Sequence, residues 1–555
     1  MVYGGKPSRG CRTCRARRIK CDEGKPTCKR CEKSKRVCGG YRPEFEIVHR
    51  DQTVSTVRRL RSRAAGSLHQ QLVPLSSEPT PSPVLAVPVL ERAHCYFASN
   101  FIMVPLQMGA SSPGFMEYLL PLIKSERPDT ALRHAFHACA FALLGNCAKS
   151  ESIDLAQLSR KYYTQALCKT RRALSHPEVA GTDATLAAIL MLCLYESITA
   201  IKPDDVPAWR SHIDGAVQLV CKRGREKICQ TRIGYLLFSD VRHHLVVRAL
   251  SSLEPVPFGA DWWMSYGDTD SLFATFQRFA LAFVEIRAEV SRLIITTSRS
   301  PETLEQMRKL ARRAQAIDDG IAKWLDSVPD KYRPKMLCWL GDEEVGLLEG
   351  KDYGDIEVFP GRVDVYSDFL TASAWNLGRM SRIILASLNI RITAWMCFPI
   401  DYRTVPEFES FRRVCEGPIS DIIASVPYHF GWHLRRKELM VHERGPAPGF
   451  ACGQEGPCKA LPSLFLLWAL TCVKNHDISS AEQRAWAKGR LRFIADKIGL
   501  KYAHIANDVD IRFPSMLIRH DGTMETPAHI SAKGLPLRPA AVSQSPESSS
   551  SPYPS

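Results

Sequence analysis

Six cysteines between Cys11 and Cys38 constrain this chain more than any other feature. Their spacing is C-x2-C-x6-C-x6-C-x2-C-x6-C, and adding 17 to positions 11, 14 and 21 gives 28, 31 and 38. The block is therefore two copies of one half-motif. Apart from these cysteines, residues 1–50 hold few apolar side chains, among them Ile19, Val37 and Tyr41. Below about 40 residues a chain rarely buries enough surface to fold unaided. Metal can replace the missing core, because its binding free energy becomes folding free energy.

The ligand count fixes how many ions fit. A structural zinc ion takes four thiolates or imidazoles in a tetrahedron. Two separate sites need eight ligands, yet the block offers six cysteines and no histidine before His49. Two ions are satisfied only if two thiolates bridge them. The repeat asks for an equivalent pair of bridges, and Cys11 with Cys28 is the natural choice. One ion then takes Cys11, Cys14, Cys21 and Cys28, and the other takes Cys11, Cys28, Cys31 and Cys38. Met1 to Gly10 shows no apolar segment of a secretory signal. The 19 cysteines are accordingly read in a reducing compartment, where metal ligation is favoured over a disulfide framework.

Charge concentrates in the same place. The chain carries 74 Lys+Arg against 58 Asp+Glu, a net +16. Residues 1–50 alone hold fifteen Lys/Arg and five Asp/Glu, and residues 51–63 add four Arg and one Asp. The other 492 residues keep only +3. Basic arms of this kind meet nucleic acid, or sometimes a membrane surface.

The string Cys11-Arg-Thr-Cys14-Arg-Ala-Arg17-Arg18-Ile-Lys20-Cys21-Asp22, followed by Lys25-Pro26-Thr-Cys28-Lys-Arg-Cys31 and Cys38, resembles the fungal binuclear zinc cluster (Zn(2)-C6) family of transcription factors. The resemblance covers about 30 residues and every ligand spacing. It implies a zinc cluster domain of two short helices around two zinc ions, with the helix after Cys14 entering the major groove over a CGG-type triplet. It implies base contacts from Arg17 and Arg18, the latter standing where lysine is more common. Guanine offers N7 and O6 as adjacent acceptors for such donors. Arg12, Arg15, Lys20, Lys29, Arg30 and Lys33 are read beside it as phosphate contacts, which set affinity rather than sequence. Pro26 matches the loop proline that joins the halves. The competing reading is a zinc ribbon or disulfide knot without a DNA role.

The remaining chain reads as helical. Pro74, Pro79, Pro81, Pro83 and Pro88 mark a semi-rigid linker. Beyond it, apolar residues recur at the helical period: Leu155, Leu158, Tyr162, Ala166, Thr170 and Leu174, then Phe273, Phe276, Ala280, Phe283, Ile286, Val290 and Leu293. Ser300-Pro301-Glu302 opens another helix with a cap, a first-turn proline and an acid on the positive dipole end. Its stripe runs Leu304, Met307, Leu310, Ala314, Ile317, Ile321 and Trp324. The segment from Trp209 to Arg223 ends at Gly224, a left-handed cap. Leu186–Tyr195 and Leu464–Val473 are apolar all round and predict buried central helices. Neither approaches the roughly 20 residues of a membrane span. Few alternating runs are long enough for a sheet. TLAAILMLCLYE (185–196), WRSHIDGAVQLVCKRG (209–224), AWNLGRMSRII (374–384) and LFLLWAL (464–470) resemble the fungal-specific regulatory domain found downstream of such clusters.

His134 and His137 lie i, i+3 without a matching acid or cysteine, and His243 and His244 are placed on opposite sides of a helix. Cys452 and Cys458 flank a glycine-rich loop. Cys139, Cys147, Cys168 and Cys193 read as small core residues. Trp209, Trp375 and Trp468 read as core anchors, with a ligand cage as the other reading. Val54, Val57, Ala64 and Leu68 approach a heptad seam that Arg61 and Gly66 interrupt, so a homodimer is left open. Arg58, Arg59, Arg61 and Arg63 suit a nuclear import signal or a second phosphate-binding stretch.

The expectation is a metal-stabilised zinc cluster plus a large all-α regulatory domain. The divisions are 1–10 disordered, 11–38 cluster, 39–91 basic then Pro-rich linker, 92–530 helical, and 531–555 a disordered Ser/Pro tail. The expected function is sequence-specific regulation of RNA polymerase II genes in a fungal nucleus, not catalysis, on double-stranded DNA and with coregulators as further partners. A pathway-specific role, for instance over a secondary-metabolite gene cluster, rests on the resemblance. The rivals are a zinc-held interaction module and a DNA-localised enzyme with an unrecognised helical catalytic domain.

Overall fold

The computed structural model describes residues 9–41, 87–104, 114–147, 152–251, 254–264, 272–347, 352–436 and 458–524. The chain divides into two compact units, Met1–Ala86 and Val87–Ser555. The import-signal and heptad residues, Cys452 and the Ser/Pro tail lie outside the described residues.

In the first unit two five-residue helices, α1 (Arg12–Ala16) and α2 (Lys29–Lys33), repeat at the 17-residue offset. Each is too short to persist alone. Each is started by a cysteine: the Cys14 N–H donates to Cys11 Sγ and the Cys31 N–H to Cys28 Sγ, both at 3.3 Å. Each is ended by a left-handed residue, Arg18 at φ 56° and Lys35 at φ 46°. That turn sends the chain back so that Cys21 and Cys38 rejoin the cluster. The expected helix after Cys14 is corrected here. The helix surrounds Cys14, because the Cys11 sulfur caps it, and Arg17 and Arg18 stand at and just past its C-terminal end.

Among the described residues the second unit is all-α apart from one small hairpin. Its helices include α3 (Val89–Phe101), α4 (Ala131–Cys147), α5 (Ser152–Leu174), α6 (Asp183–Thr199), α7 (Val206–Arg223), α8 (Arg232–Ser251), α9 (Leu272–Thr296) and α10 (Pro301–Ser327). After the hairpin come α11 (Phe369–Cys397), α12 (Pro406–His429), α13 (Ala460–Asn475), α14 (Ala481–Phe493) and α15 (Tyr502–Asp508). Every residue of α6 from Leu186 to Tyr195 is buried, as an all-apolar stretch requires, and so are the polar Thr185, Glu196 and Ser197 beside it. It packs against α4, α5 and α7, while α11 lies among α9, α10 and α12. Arg391 of α11 is buried and makes a bidentate pair with buried Asp521, at 2.6 and 2.8 Å.

The Ser300 cap forms as the sequence implies, with Ser300 Oγ accepting from the Thr303 N–H and Pro301 in the first turn. Other details differ. Gly224 has positive φ (81°) but ψ of 134°, so it ends α7 through an extended glycine conformation rather than a left-handed cap. Leu464, Phe465 and Trp468 on α13 are only half-buried. Cys168 is exposed on α5 and Cys147 is half-buried, whereas Cys139 and Cys193 are buried. Strands β1 (Lys335–Leu340) and β2 (Gly361–Val365) pair antiparallel, with a bulge between Met336 and Cys338. No described helix is long and apolar enough to cross a membrane.

Candidate metal centre and nucleic-acid interface

The sulfur atoms of Cys11, Cys14, Cys21 and Cys28 lie within 4.8 Å of one another, and so do those of Cys11, Cys28, Cys31 and Cys38. The two sets share Cys11 and Cys28, whose sulfurs are 3.7 Å apart. Cys14 to Cys28 is 3.6 Å and Cys11 to Cys31 is 3.8 Å. A tetrahedron with Zn–S near 2.3 Å has edges of about 3.8 Å. The spacing therefore suits thiolates around a cation. All six cysteines are free.

The donor chemistry agrees. Desolvation raises the Cys14 and Cys31 thiols, Cys31 to about 12. At Cys21 desolvation also pushes upward, but the Cys11 and Glu23 amides outweigh it and hold the thiol at about 7. So many sulfurs cannot all ionise at this distance without a positive charge between them. Two divalent cations supply it and leave two negative charges, which the surrounding Lys and Arg screen.

The scaffold extends beyond the sulfurs. Asp22 accepts from the Lys29 and Arg30 amides at 3.0 and 3.2 Å, tying the first half to the start of α2. Those two bonds hold its carboxyl below the ordinary range. The mirror-related tie is different in chemistry. Thr13 Oγ1 on α1 accepts from the Gly39 amide at 2.9 Å and donates to the Val37 carbonyl at 3.0 Å. Tyr41 donates its hydroxyl to the Gly24 carbonyl at 2.6 Å and lies 4.0 Å from Cys21 Sγ. Arg12, Arg17, Arg18, Lys20, Lys29, Arg30 and Lys33 are exposed around this frame. Arg15 is half-buried, and its Nε has no acceptor among the described residues.

Two family models match. Residues 9–46 match the fungal Zn(2)-Cys(6) binuclear cluster domain, and residues 95–340 match the fungal specific transcription factor domain. The chain belongs to the fungal binuclear zinc cluster transcription factors. It is 22% identical over 415 residues to transcription factor dbaG of Emericella nidulans, covering 73% of this chain and 88% of that one. It is 70% identical across 47 residues to white-opaque regulator 2 of Candida albicans, 8% of this chain and 10% of that one. It is 54% identical across 39 residues to the aspercryptin biosynthesis cluster-specific transcription regulator atnN of E. nidulans, 7% of this chain and 6% of that one. No solved structure matches.

As a binuclear cluster protein it binds two zinc ions, which Cys11 and Cys28, common to both sulfur sets, would bridge. Sequence reasoning missed Asp22, Thr13 and Tyr41 as supports. Position 22 falls at Gly39 in the second half of the repeat, and that break in symmetry was the available signal.

The other singled-out residues form no second metal centre among the described residues. His134 is buried, bonded through Nδ1 to the Thr130 carbonyl at 2.8 Å, while His137 stacks on His94. His243 and His244 do converge: both line one cavity, since neighbours on a helix are only about 100° apart. Trp209 and Trp468 line it too, whereas Trp375 donates its indole N–H to the Tyr332 carbonyl at 2.8 Å. Cys458 donates to the Phe430 carbonyl.

Proposed function

We propose that the cluster, with all six cysteines from Cys11 to Cys38 as its zinc ligands, reads CGG-type triplets in double-stranded DNA through Arg17 and Arg18. In this reading Arg12, Arg15, Lys20, Lys29, Arg30 and Lys33 hold the phosphates. The observation that carries it is the placement of Arg17 and Arg18, exposed at the end of α1 on a frame locked by sulfurs, with no carboxylate paired to either among the described residues. A fixed backbone leaves only the side chains to order on binding, and a bidentate arginine–guanine pair discriminates by about 1–3 kcal/mol. The helical unit then governs output through coregulators and has no catalytic role. The protein acts in the nucleus on RNA polymerase II genes. The likeness to a biosynthesis cluster-specific regulator supports a pathway-specific role over a secondary-metabolite gene cluster.

Selection from a random oligonucleotide pool with the zinc-loaded full chain tests this. Enrichment of a GC-rich triplet is expected, and Arg17→Ala should relax it. A selected pool no different from the input would refute the reading. The same selection reports one triplet or two, and hence monomer or homodimer. If the regulated genes prove scattered rather than contiguous, the pathway-specific part fails alone.

A further inference from the structure

We infer that the helical unit dimerises through β1, which lies antiparallel along β1 of a second copy of this chain. Of the ten tryptophans, Trp339 alone is exposed, at 68%, and Met336 on the same strand is 63% exposed. Three residues apart on a regular strand, they would point to opposite faces. The bulge adds one residue between them, so that Met336 opposes Asp364 and Trp339 opposes Arg362. Asp364 and Arg362 alternate onto one face of β2, and Met336 and Trp339 therefore share that face of β1. Over β2 the face is covered: Asp364 is buried, and Arg362 pairs with Asp364 at 3.0 Å and with Asp421 of α12. Over β1 it is open to solvent at Met336 and Trp339. The opposite face packs Cys338 and Leu340 with Val363, Val358 and Trp432. Among the described residues the sheet ends at β1.

Charge names the occupant. Lys331, Arg333 and Lys335 stand at one end of the strand, and Asp342, Glu343 and Glu344 in the turn at the other, all six exposed. The Val328 and Asp326 carbonyls hold Arg333 in place, 3.6 Å from Asp330. Lys331 sits 4.6 Å over the Tyr332 ring. One Glu344 oxygen accepts from the Gly341 amide at 2.6 Å, which fixes the acidic end. Among the described residues Lys331 has no carboxylate partner, and Asp342 and Glu343 have no cationic one. A two-fold axis between Leu337 and Cys338 turns this polarity into complementarity, because in such a contact residue i meets j and j meets i. It sets Met336 against the partner's Trp339, Arg333 against the partner's Asp342 and Lys331 against the partner's Glu344, each pair twice. A sulfur at the edge of an aromatic ring adds attraction to the burial, and tryptophan is enriched at the energetic centres of interfaces. The bulge breaks the regular run of amides that an endless ladder needs, and β2 already lies against α12, so pairing stops at two copies. The strip from 331 to 344 is fourteen residues a side. A stable interface has roughly 20–30, so the dimer is weak and concentration-dependent.

The contact does not rest on the triplet reading, and its test leaves DNA out. Sedimentation equilibrium of the zinc-loaded full chain over a dilution series should show monomer and dimer in balance, with the dimer weakened by salt. Trp339→Asp should weaken association about tenfold or more. Lys331→Glu with Arg333→Glu, and separately Asp342→Lys with Glu343→Lys, should each stay monomeric where the parent dimerises. An equal mixture of the two should recover the dimer, because each junction again joins opposite charges. Melting curves report whether each variant folds, and if the Arg333 variant does not, the acidic-end variant carries the test with the salt series. A parent that is monomeric throughout the series overturns the inference and leaves the patch to a different protein. So does association unchanged by a folded Trp339→Asp or by the folded acidic-end variant, or a mixture of folded charge variants that stays monomeric. Failure to select DNA would sink the cluster reading and leave this one standing.

Discussion

Cys11 and Cys28 belong to both sulfur sets, so as bridging ligands each would serve both metal sites. Cys11→Ala should therefore remove both ions, whereas Cys14→Ala should remove one. Native mass spectrometry counts them directly: two zincs for the parent, one for Cys14→Ala and none for Cys11→Ala. One zinc retained by Cys11→Ala would mean that the sulfur does not bridge. His476 shows a different dependence, on a proton. Its Nδ1 accepts the Ile478 amide at 3.2 Å. Its Nε2 lies 2.9 Å from Ser387 Oγ, and that hydroxyl already donates to the Ile383 carbonyl at 2.7 Å. The ring must therefore be neutral, with the proton on Nε2. Burial agrees, lowering the pKa to about 4. Because the folded value lies below the unfolded one of about 6.5, the unfolded chain binds more protons between them. The stabilisation is present above pH 6.5 and is lost as pH falls toward 4. This residue should cost roughly 2 kcal/mol between pH 7 and pH 5. Urea midpoints at both pH values, for the parent and His476→Gln, should show the gap between them narrow by that amount.

Elements in this fold are set as much by what touches them as by their own propensities. Gly489 in α14 shows the balance. Alanine in a helix interior gains up to about 1 kcal/mol over glycine. Yet a Cβ at 489 would sit 1.9 Å from the Gly354 carbonyl oxygen and 2.6 Å from its carbon, both rigid backbone. Overpacking of that kind costs about 1–3 kcal/mol, so Gly489→Ala should destabilise. Gly215 in α7 has nothing within 4 Å of its would-be Cβ, and Gly215→Ala should stabilise by about 0.5–1 kcal/mol. Thermal melting of the two variants should move in opposite directions. The same contrast explains which elements were legible. The α10 stripe and its Ser300 cap are local signals, and a sequence displays them. The β1–β2 hairpin has no such signal. Some twenty residues separate its strands, and it is held by Val363 against Trp432 rather than by alternation. Why α13 is half-open was equally hidden, because a cavity is made by several helices and belongs to none of their sequences.

At the scale of the molecule, charge and metal are legible and shape is not. The ligand spacings name the cluster because zinc chemistry fixes distances directly. The helix expected after Cys14 was misplaced, and Arg17 and Arg18 stand at and past its end, since the capping sulfur, and not propensity, decides where α1 starts. The net charge makes the last prediction. Nearly all of the excess lies within the first 63 residues, so binding to any duplex should be strongly salt-dependent. Six proposed phosphate contacts imply a slope of log K against log salt of about −5. Removing one of them, as in Lys29→Ala, should reduce the slope by about one and weaken selected and scrambled duplexes equally. Arg17→Ala should act mainly on the selected duplex, costing about 1–3 kcal/mol there and little on the scrambled one. Fluorescence anisotropy on both duplexes, over a series of salt concentrations, separates these outcomes. If Lys29→Ala lowered affinity only for the selected site, it would be a base-reading residue, and the division of labour drawn around α1 would have to be redrawn around α2.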